Sequence, residues 1–435
     1  MNRLITREAH QRAQIKAGPR RPLENDLSAP PNIFVRILFV CFFVFDIPAF
    51  TLQLAQDPST GRFTGSPVFA FMTLAGNLFT AIIILSSRDA RALVKNSWPV
   101  WAMLGLGLVS ALWSSYPKGT IDVTVRNAGA FFLGLAIVGR MPHFQGVRFV
   151  IRTMVLACAL SVAWVFLFPQ VAVHQATDVY QFVHAGLWRG IFSHKQGLGL
   201  FAGMTTGLLL FYRTLVFPPI VLVGAIGCSL SCLIGTQSAT GFVTAVMVFL
   251  IFYSARVVVN SPPRARRGKL AILTAVFLIL GGAFNFGLLN PVITHIIGKS
   301  SDLTGRADFW PIEIAHFKSS GRMWLGGGLG TTFAANLYEQ SVDNGYLDML
   351  FAFGYLVAPV LYFIFAIILW KSCMLLLKSR ENVAATSVFP FGIWMVILID
   401  NITESNFMSK SFSTILTVMA IALLFEERNQ APSRG

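Results

Sequence analysis

The sequence predicts an all-α, polytopic integral membrane protein with about twelve transmembrane helices. Three observations carry that prediction. Only 12% of the residues are charged and 55% are hydrophobic, whereas a soluble domain carries about a quarter charged residues. Apolar runs of bilayer-crossing length recur along the whole chain. The basic residues sit mostly in short links between those runs. That is the pattern of a topology signal, so the net charge of +15 is not a nucleic-acid-binding surface. Helix is expected throughout, because hydrocarbon cannot solvate an open backbone.

Residues 1–31 are polar, basic and proline-bearing, and read as a disordered cytoplasmic tail with no cleavable leader. A transmembrane domain is expected over 32–426, followed by a short tail at 427–435. Apolar spans are predicted at 33–55, 66–86, 97–113, 121–139, 148–168 and 195–212. Six more are predicted at 217–235, 238–256, 270–290, 345–370, 386–400 and 411–425. With the N-terminus inside, alternation places 24 of the 34 basic residues on the cytoplasmic side and ten outside. The bias agrees with the positive-inside rule and puts both termini in the cytoplasm. "RARRGK" (264–269) is expected to pin an inner loop beside anionic lipid. The five cysteines lie in or beside apolar runs, and no disulfide is expected.

The two longest loops, 169–194 and 291–344, fall on the outer face, and loops of that length are usually functional or disordered. The first contains "WRGIFSHKQGLG" (188–199). The second contains "TGRADFWPIEIAHF" (304–317), expected to form an amphipathic helix with Ile312, Ala315 and His316 near one face and Glu313 and Lys318 elsewhere. "WLGGGLGTTF" (324–333) follows; it lacks the Gly-Lys-Ser/Thr of a phosphate loop and reads as a close-packed turn. Trp188, Trp310 and Trp324 suit the headgroup level.

Arginines on the outer face run against the topological bias and so need another reason. Three of the five, Arg189, Arg306 and Arg126, are candidates: the first two stand beside aromatic and glycine residues in the long outer loops, and Arg126 lies a turn inside the fourth span. A guanidinium fork matches paired phosphate oxygens and stays charged; the plainer alternative is a side chain snorkelling to the boundary. His194 and Lys195 open the sixth span, where a histidine serves as a structural hydrogen-bonding group or as a base. His174, His184, His295 and His316 are also outer-face, but no pair has metal-ligand spacing. No metal and no cofactor is therefore expected. Asp343 is an N-cap candidate for the tenth span. Asp348, one turn further, needs a partner. Asp400 and Glu404 form a second acidic pair at the outer end of the eleventh span.

Four stretches together resemble the O-antigen ligase and polymerase family, and within it the exopolysaccharide polymerases. They are "WRGIFSHKQGLG", "TGRADFW" with "WLGGGLGTTF" downstream, "DNGYLDMLFAFG" and "NITESNF", matching in order and spacing over 188–407. The resemblance implies a GT-C-like glycosyltransferase architecture in the bacterial inner membrane, with a large periplasmic loop before the tenth span. It implies transfer of a glycan from undecaprenyl pyrophosphate to an acceptor hydroxyl, metal-independent and inverting, at the periplasmic face. The implied partners are the lipid-linked oligosaccharide and membrane lipids, with a chain-length regulator and export proteins beside them.

The resemblance also assigns roles. Arg189 and Arg306 hold the pyrophosphate. The family places a histidine base where this chain has Asp343; an aspartate fills that role if burial or a neighbouring carboxylate raises its proton affinity. Arg126, His194, Lys195, Asn344, Tyr346 and Glu404 complete the expected substrate-binding set. A ligase of the same fold, with a lipid or protein acceptor, is the nearest alternative. A transporter or lipid flippase is the alternative of another class, and it predicts internal repeats and broken helices near the midplane. The halves show no repeat and the polar candidates share one face, which favours an enzyme.

Overall fold

The computed structural model describes residues 33–46, 67–141, 144–178, 182–285, 306–330, 342–379, 384–408 and 411–426. The tails expected at 1–31 and 427–435 lie outside the described residues, as do 291–305 and 331–341 of the long loop. Met1–Ile37 is one unit of the chain and Leu38–Gly435 the other; the packing described below is that of the second.

Every regular element of two or more residues among the described residues is a helix. The chain begins with α1 (Ile33–Asp46), α2 (Pro67–Leu85), α3 (Arg88–Asn96) and α4 (Trp98–Val109), the last running into a 3-10 turn at Ser110–Leu112. Next come α5 (Pro117–Arg140), α6 (Phe144–Leu167), α7 (Lys195–Val216), α8 (Pro219–Thr236), α9 (Ala239–Val259) and α10 (Pro263–Asn285). α11 (Arg306–Ser319), α12 (Gly345–Lys378), α13 (Ala384–Asp400) and α14 (Phe412–Glu426) complete the set. Each predicted apolar run is met by one of these helices. Six of them, α5 to α9 and α12, are long and apolar enough to cross a membrane, and the bent pair α2–α3 makes a seventh if taken as one span. This is the build of a multi-pass helical membrane protein. α13 and α14 are shorter, and their side chains from Val388 to Ile397 and from Phe412 to Leu423 are buried against protein.

Three features depart from the sequence reading. Residues 88–96, expected as a link, form α3, which lies at 102° to α2. Its Ala90 and Leu93 are buried while Arg88, Arg91 and Lys95 are exposed, the pattern of a helix lying along a boundary. "RARRGK" is not a loop but the first turns of α10. α11 buries Trp310, Glu313, Ile314 and Phe317, leaving Ile312 46% exposed and Ala315 on the outside. The two large rings choose that face: Phe317 packs on Phe351 at 4.9 Å, and the Trp310 indole N–H donates to the Val342 carbonyl at 3.0 Å.

The basic residues at one end of the bundle do more than set topology. Helix C-termini leave carbonyls unpaired and carry partial negative charge. Arg140 donates to the Ile83 carbonyl of α2. Arg148 and Arg152 donate to Leu215 and Val216 at the end of α7, at 2.8 and 2.7 Å. Arg266 donates to Leu377 and Ser379 at the end of α12, at 3.1 and 2.6 Å.

At the opposite end the helices approach closely. Gly199, Gly203 and Gly207 lie one turn apart on α7, and a Cβ at each would come within 2.4, 2.2 and 2.5 Å of Ser238, Gly241 and Val248 respectively. Small residues at that spacing let backbones touch. Between Gly241 and Val248 on α9, Thr244 donates to Asp400 of α13 at 3.1 Å.

α12 is broken at Gly354, whose φ of 66° and ψ of 179° are not helical. An unbroken helix would pair the Tyr355 and Leu356 N–H groups with the Phe351 and Ala352 carbonyls. The segment 323–328 takes their place. Tyr355 and Leu356 donate to Met323 and Trp324 at 2.8 and 3.0 Å, and Gly327 and Gly328 donate to Phe351 and Ala352 at 2.9 Å each. Together with Leu329 the same segment holds the turn between α4 and α5, through Ser115 N–H to Gly327 O at 3.0 Å and Leu329 N–H to Ser110 Oγ at 3.0 Å. The glycines of "WLGGGLG" are thus required by close approach: a Cβ on Gly326 would lie 2.4 Å from the Ala352 carbonyl.

Gly354→Ala is expected to destabilise the protein by at least about 3 kcal/mol, because its conformation is open essentially to glycine alone. A Cβ there would also sit 2.3 Å from the Trp324 carbonyl. Gly224→Ala, on an exposed face of α8 with nothing within 4 Å, should be neutral or stabilising by up to about 1 kcal/mol. Thermal melting of the two variants in detergent compares them directly; equal melting points would contradict the backbone pairing at the break.

Candidate functional site

Two groups of polar side chains lie at the end of the bundle away from the capping arginines. The first is built on the loop between α6 and α7. After α6 a single helical turn, Pro169–Ala172, leads to Val173, which forms an antiparallel bridge with Trp188. The bridge closes 174–187 into a loop, with His174 N–H to Leu187 O at 2.9 Å and Gly186 N–H to His174 O at 2.8 Å. Trp188 N–H donates to Gly235 O at 2.9 Å, tying the loop to the end of α8. Gly190 then turns the chain at a φ of 56°, so that Arg189 and Gly190 both donate their N–H to Ala172 O, at 2.8 and 2.9 Å.

That turn fixes Arg189. Its side chain is only 15% exposed, so it is not a surface snorkel. Nε donates to Val171 O at 2.7 Å and Nη1 to Asp178 Oδ2 at 3.3 Å. A guanidinium has five N–H groups; these contacts use Nε–H and one N–H of Nη1, and Nη2 makes no hydrogen bond among the described residues.

Beside Arg189, His174, His184 and His194 meet edge to face with ring centroids 5.2–5.7 Å apart. His194 is the N-cap of α7, its Nδ1 accepting from Gln196 N–H at 3.1 Å. Burial, then the neighbouring His174 and His184 and the cations Lys195 and Arg189, push the His194 ring down to about 3. Burial also lowers His174, with Asp178 opposing. Both rings are therefore neutral near pH 7. Among the described residues no group of three His, Cys, Asp or Glu side chains has the geometry to hold a metal ion.

The second group joins the start of α12 to the turn after α13. Gly345 N–H donates to Asn401 O and Glu404 O at 2.8 and 3.0 Å, and a Cβ on Gly345 would come within 2.0 Å of Asn401 Oδ1. Asn401 Oδ1 in turn accepts from Asn406 and Phe407 N–H at 2.8 and 3.0 Å. Asp343, expected as the N-cap of α12, is not the cap. Asn344 is, with Oδ1 accepting from Tyr346 and Leu347 N–H at 3.1 Å each. Asp343 sits one residue earlier at a φ of 49°, a left-handed conformation that Asp and Asn tolerate better than most. The cap is thereby supplied without Asp343. Tyr346 Oη donates to Leu398 O at 2.6 Å.

The structure thus brings Arg189, His194 and the start of Lys195 into one group, and Asp343, Asn344, Tyr346 and Glu404 into another. Contacts link the two through the helices: Gly199 against Ser238, and Thr244 to Asp400. Arg126 pairs with Asp122 one turn before it on α5 and is 42% exposed. Arg306 begins α11, and its side chain lies outside the described residues. The sequence reading missed the grouping of His174, His184 and Asp178 around Arg189. Only the fold of the loop brings them together, and their spacing in the chain gives no motif.

Compared with known proteins, the chain matches no family model and no curated sequence.

The unfolded chain binds protons at the ordinary histidine value of about 6.5, while the buried rings do not. Stability should therefore fall as the pH drops below about 6.5, with His194 alone contributing about 2 kcal/mol of that loss at pH 5. His194→Asn keeps a good cap and removes one titrating ring. Melting curves from pH 7.5 to 5 should fall less steeply for this variant; equal slopes would contradict a buried neutral His194.

Proposed function

We propose that the chain is a glycosyltransferase of the O-antigen ligase and polymerase type, joining undecaprenyl-pyrophosphate-linked repeat units into an exopolysaccharide. The observation that carries the reading is Arg189: largely enclosed, fixed through Nε by Val171 O and through Nη1 by Asp178, with Nη2 making no hydrogen bond among the described residues. A guanidinium so held suits a phosphate rather than a membrane boundary. The resemblance over 188–407 supplies the donor class. On this reading twelve of the helices, all but α3 and α11, span the inner membrane, the termini are cytoplasmic, and the site faces the periplasm.

The chemistry follows from the residues. The acceptor hydroxyl oxygen attacks the anomeric carbon from the side opposite the pyrophosphate, and the bond from that carbon to the phosphate oxygen breaks. Charge grows on the departing pyrophosphate, and Arg189 with Arg306 neutralises it in place of a metal. The hydroxyl proton passes to the Asp343 carboxylate. Backside attack inverts the anomeric centre. The lipid reaches the site sideways through the bilayer.

A transporter or flippase gains one observation, the broken helix at Gly354. The Tyr355 and Leu356 N–H groups and the Phe351 and Ala352 carbonyls at the break pair with segment 323–328, which favours a packing joint over an ion or substrate site. A ligase with another acceptor shares every residue of the proposed site.

Reporter fusions after Arg264 and after Ser320 should fall on opposite sides of the membrane; the same side for both would remove the site from the periplasm. Reconstituted protein given lipid-linked repeat units should form polymer. Arg189→Lys should be nearly as damaging as Arg189→Ala, with a rate loss of about 10²–10³-fold, because lysine cannot make the paired contact. Asp343→Asn should abolish transfer without disturbing α12, since Asn344 is the cap. Normal turnover in the Lys or the Asn variant, at normal expression, would contradict the role given to that residue.

A further inference from the structure

His174 lies behind Arg189 and is fully enclosed, with no side-chain exposure. Its two nitrogens have distinct neighbours. Nε2 is 3.2 Å from the Lys195 backbone N–H, which can only donate. Nε2 is therefore the acceptor, and the single proton of the neutral ring sits on Nδ1. That Nδ1–H points at Asp178 Oδ2, 3.3 Å away. The same oxygen accepts from Arg189 Nη1 at 3.3 Å and from Gln175 N–H at 3.2 Å. One carboxylate oxygen thus gathers the ring, the guanidinium and the loop backbone.

We propose that His174 and Asp178 are positioning residues for Arg189: the neutral His174 orients Asp178, and Asp178 holds Nη1 of the guanidinium so that Nη2 meets the phosphate. The proposal rests on the reading that Arg189 binds the pyrophosphate of the donor. Neither residue touches the donor. Without the Asp178 contact, Arg189 keeps only its bond to Val171 O and must be ordered when the phosphate arrives. Ordering a long side chain costs on the order of tenfold in affinity.

The arrangement also makes the site sensitive to acid. A proton on Nε2 would face the Lys195 N–H and break the contact that seats the ring on the first turn of α7. The charged and titratable groups around His174 are Asp178, Arg189, Lys195, His184 and His194. Only Asp178 favours the charged ring, and burial opposes it. The ring therefore stays neutral below the ordinary histidine range. When it does charge, the frame around Arg189 loosens.

The test uses the full chain in detergent or liposomes, with inorganic pyrophosphate as the binding probe and the lipid-linked repeat unit as substrate. His174→Ala and Asp178→Ala should each weaken pyrophosphate binding about tenfold and raise the donor KM in step, with kcat changed far less. Because the two residues act in one chain, the double variant should be no weaker than either single one. His174→Asn keeps an N–H for Asp178 and cannot titrate; it should bind as wild type does at pH 7 and lose the acid-side weakening. Additive losses, a fall in kcat with binding unchanged, or an unaltered acid limb in His174→Asn would each overturn the proposal. Should the Ala variants fail to fold, the Asn variant decides by its pH profile alone. Arg189-dependent pyrophosphate binding without polymer formation would defeat the glycosyltransferase reading and leave the positioning proposal to be judged on binding. A wild-type protein that binds no pyrophosphate through Arg189 would defeat both.

Discussion

Between Phe351 and Leu356, α12 gives up two backbone hydrogen bonds inside an apolar helix. In hydrocarbon such groups have no water to turn to. The segment 323–328 supplies all four partners from its own backbone, and it can come that close only because glycines stand at 326 and 354. Much of the architecture depends on that joint. It seats the long loop after α10 against α12, fixes the turn between α4 and α5 through Ser110 and Ser115, and sets the direction of the first nine residues of α12. Those residues follow the Asn344 cap, so the joint also determines where Asp343 stands.

The same economy of backbone pairing recurs wherever the polar candidates lie. Gly190 returns the chain so that Ala172 O takes two N–H groups and Arg189 is drawn under the loop. Gly345 lets the turn after α13 close on the start of α12. Asn344 caps that helix, which leaves Asp343 outside the capping role. Arg140, Arg148, Arg152 and Arg266 answer helix carbonyls at one end of the bundle; at the other, Arg322 does the same for Trp113 O, whereas Arg189 is held by a carboxylate and one carbonyl.

The helices were legible in the sequence because apolar runs bounded by Pro, Gly and charge leave a bilayer protein few choices. The run predicted at 238–256 is α9, Ala239–Val259. The break at Gly354 was not legible, since "FAFGYLVAP" is apolar throughout and hydropathy is blind to φ. Nor was the packed face of α11, which is chosen by Phe317 meeting Phe351, a residue far away in the chain. In the site, His194 at the mouth of α7 could be picked out from its position beside an apolar run. His174 and Asp178 could not, because they acquire meaning only when the Val173–Trp188 bridge folds them onto Arg189. Asp343 was singled out correctly as a residue at the helix start, but capping falls to Asn344: the left-handed turn at 343 moves the cap by one residue.

The most direct test of the account is the lipid-linked saccharide that accumulates in cells lacking this protein, together with the leaflet in which it accumulates. A polymerase at the outer face predicts single repeat units on the carrier, open to a glycosidase added outside spheroplasts. A long carrier-linked polymer would instead indicate a ligase. Single units protected from the added enzyme, on the inner leaflet, would contradict the account and indicate a flippase.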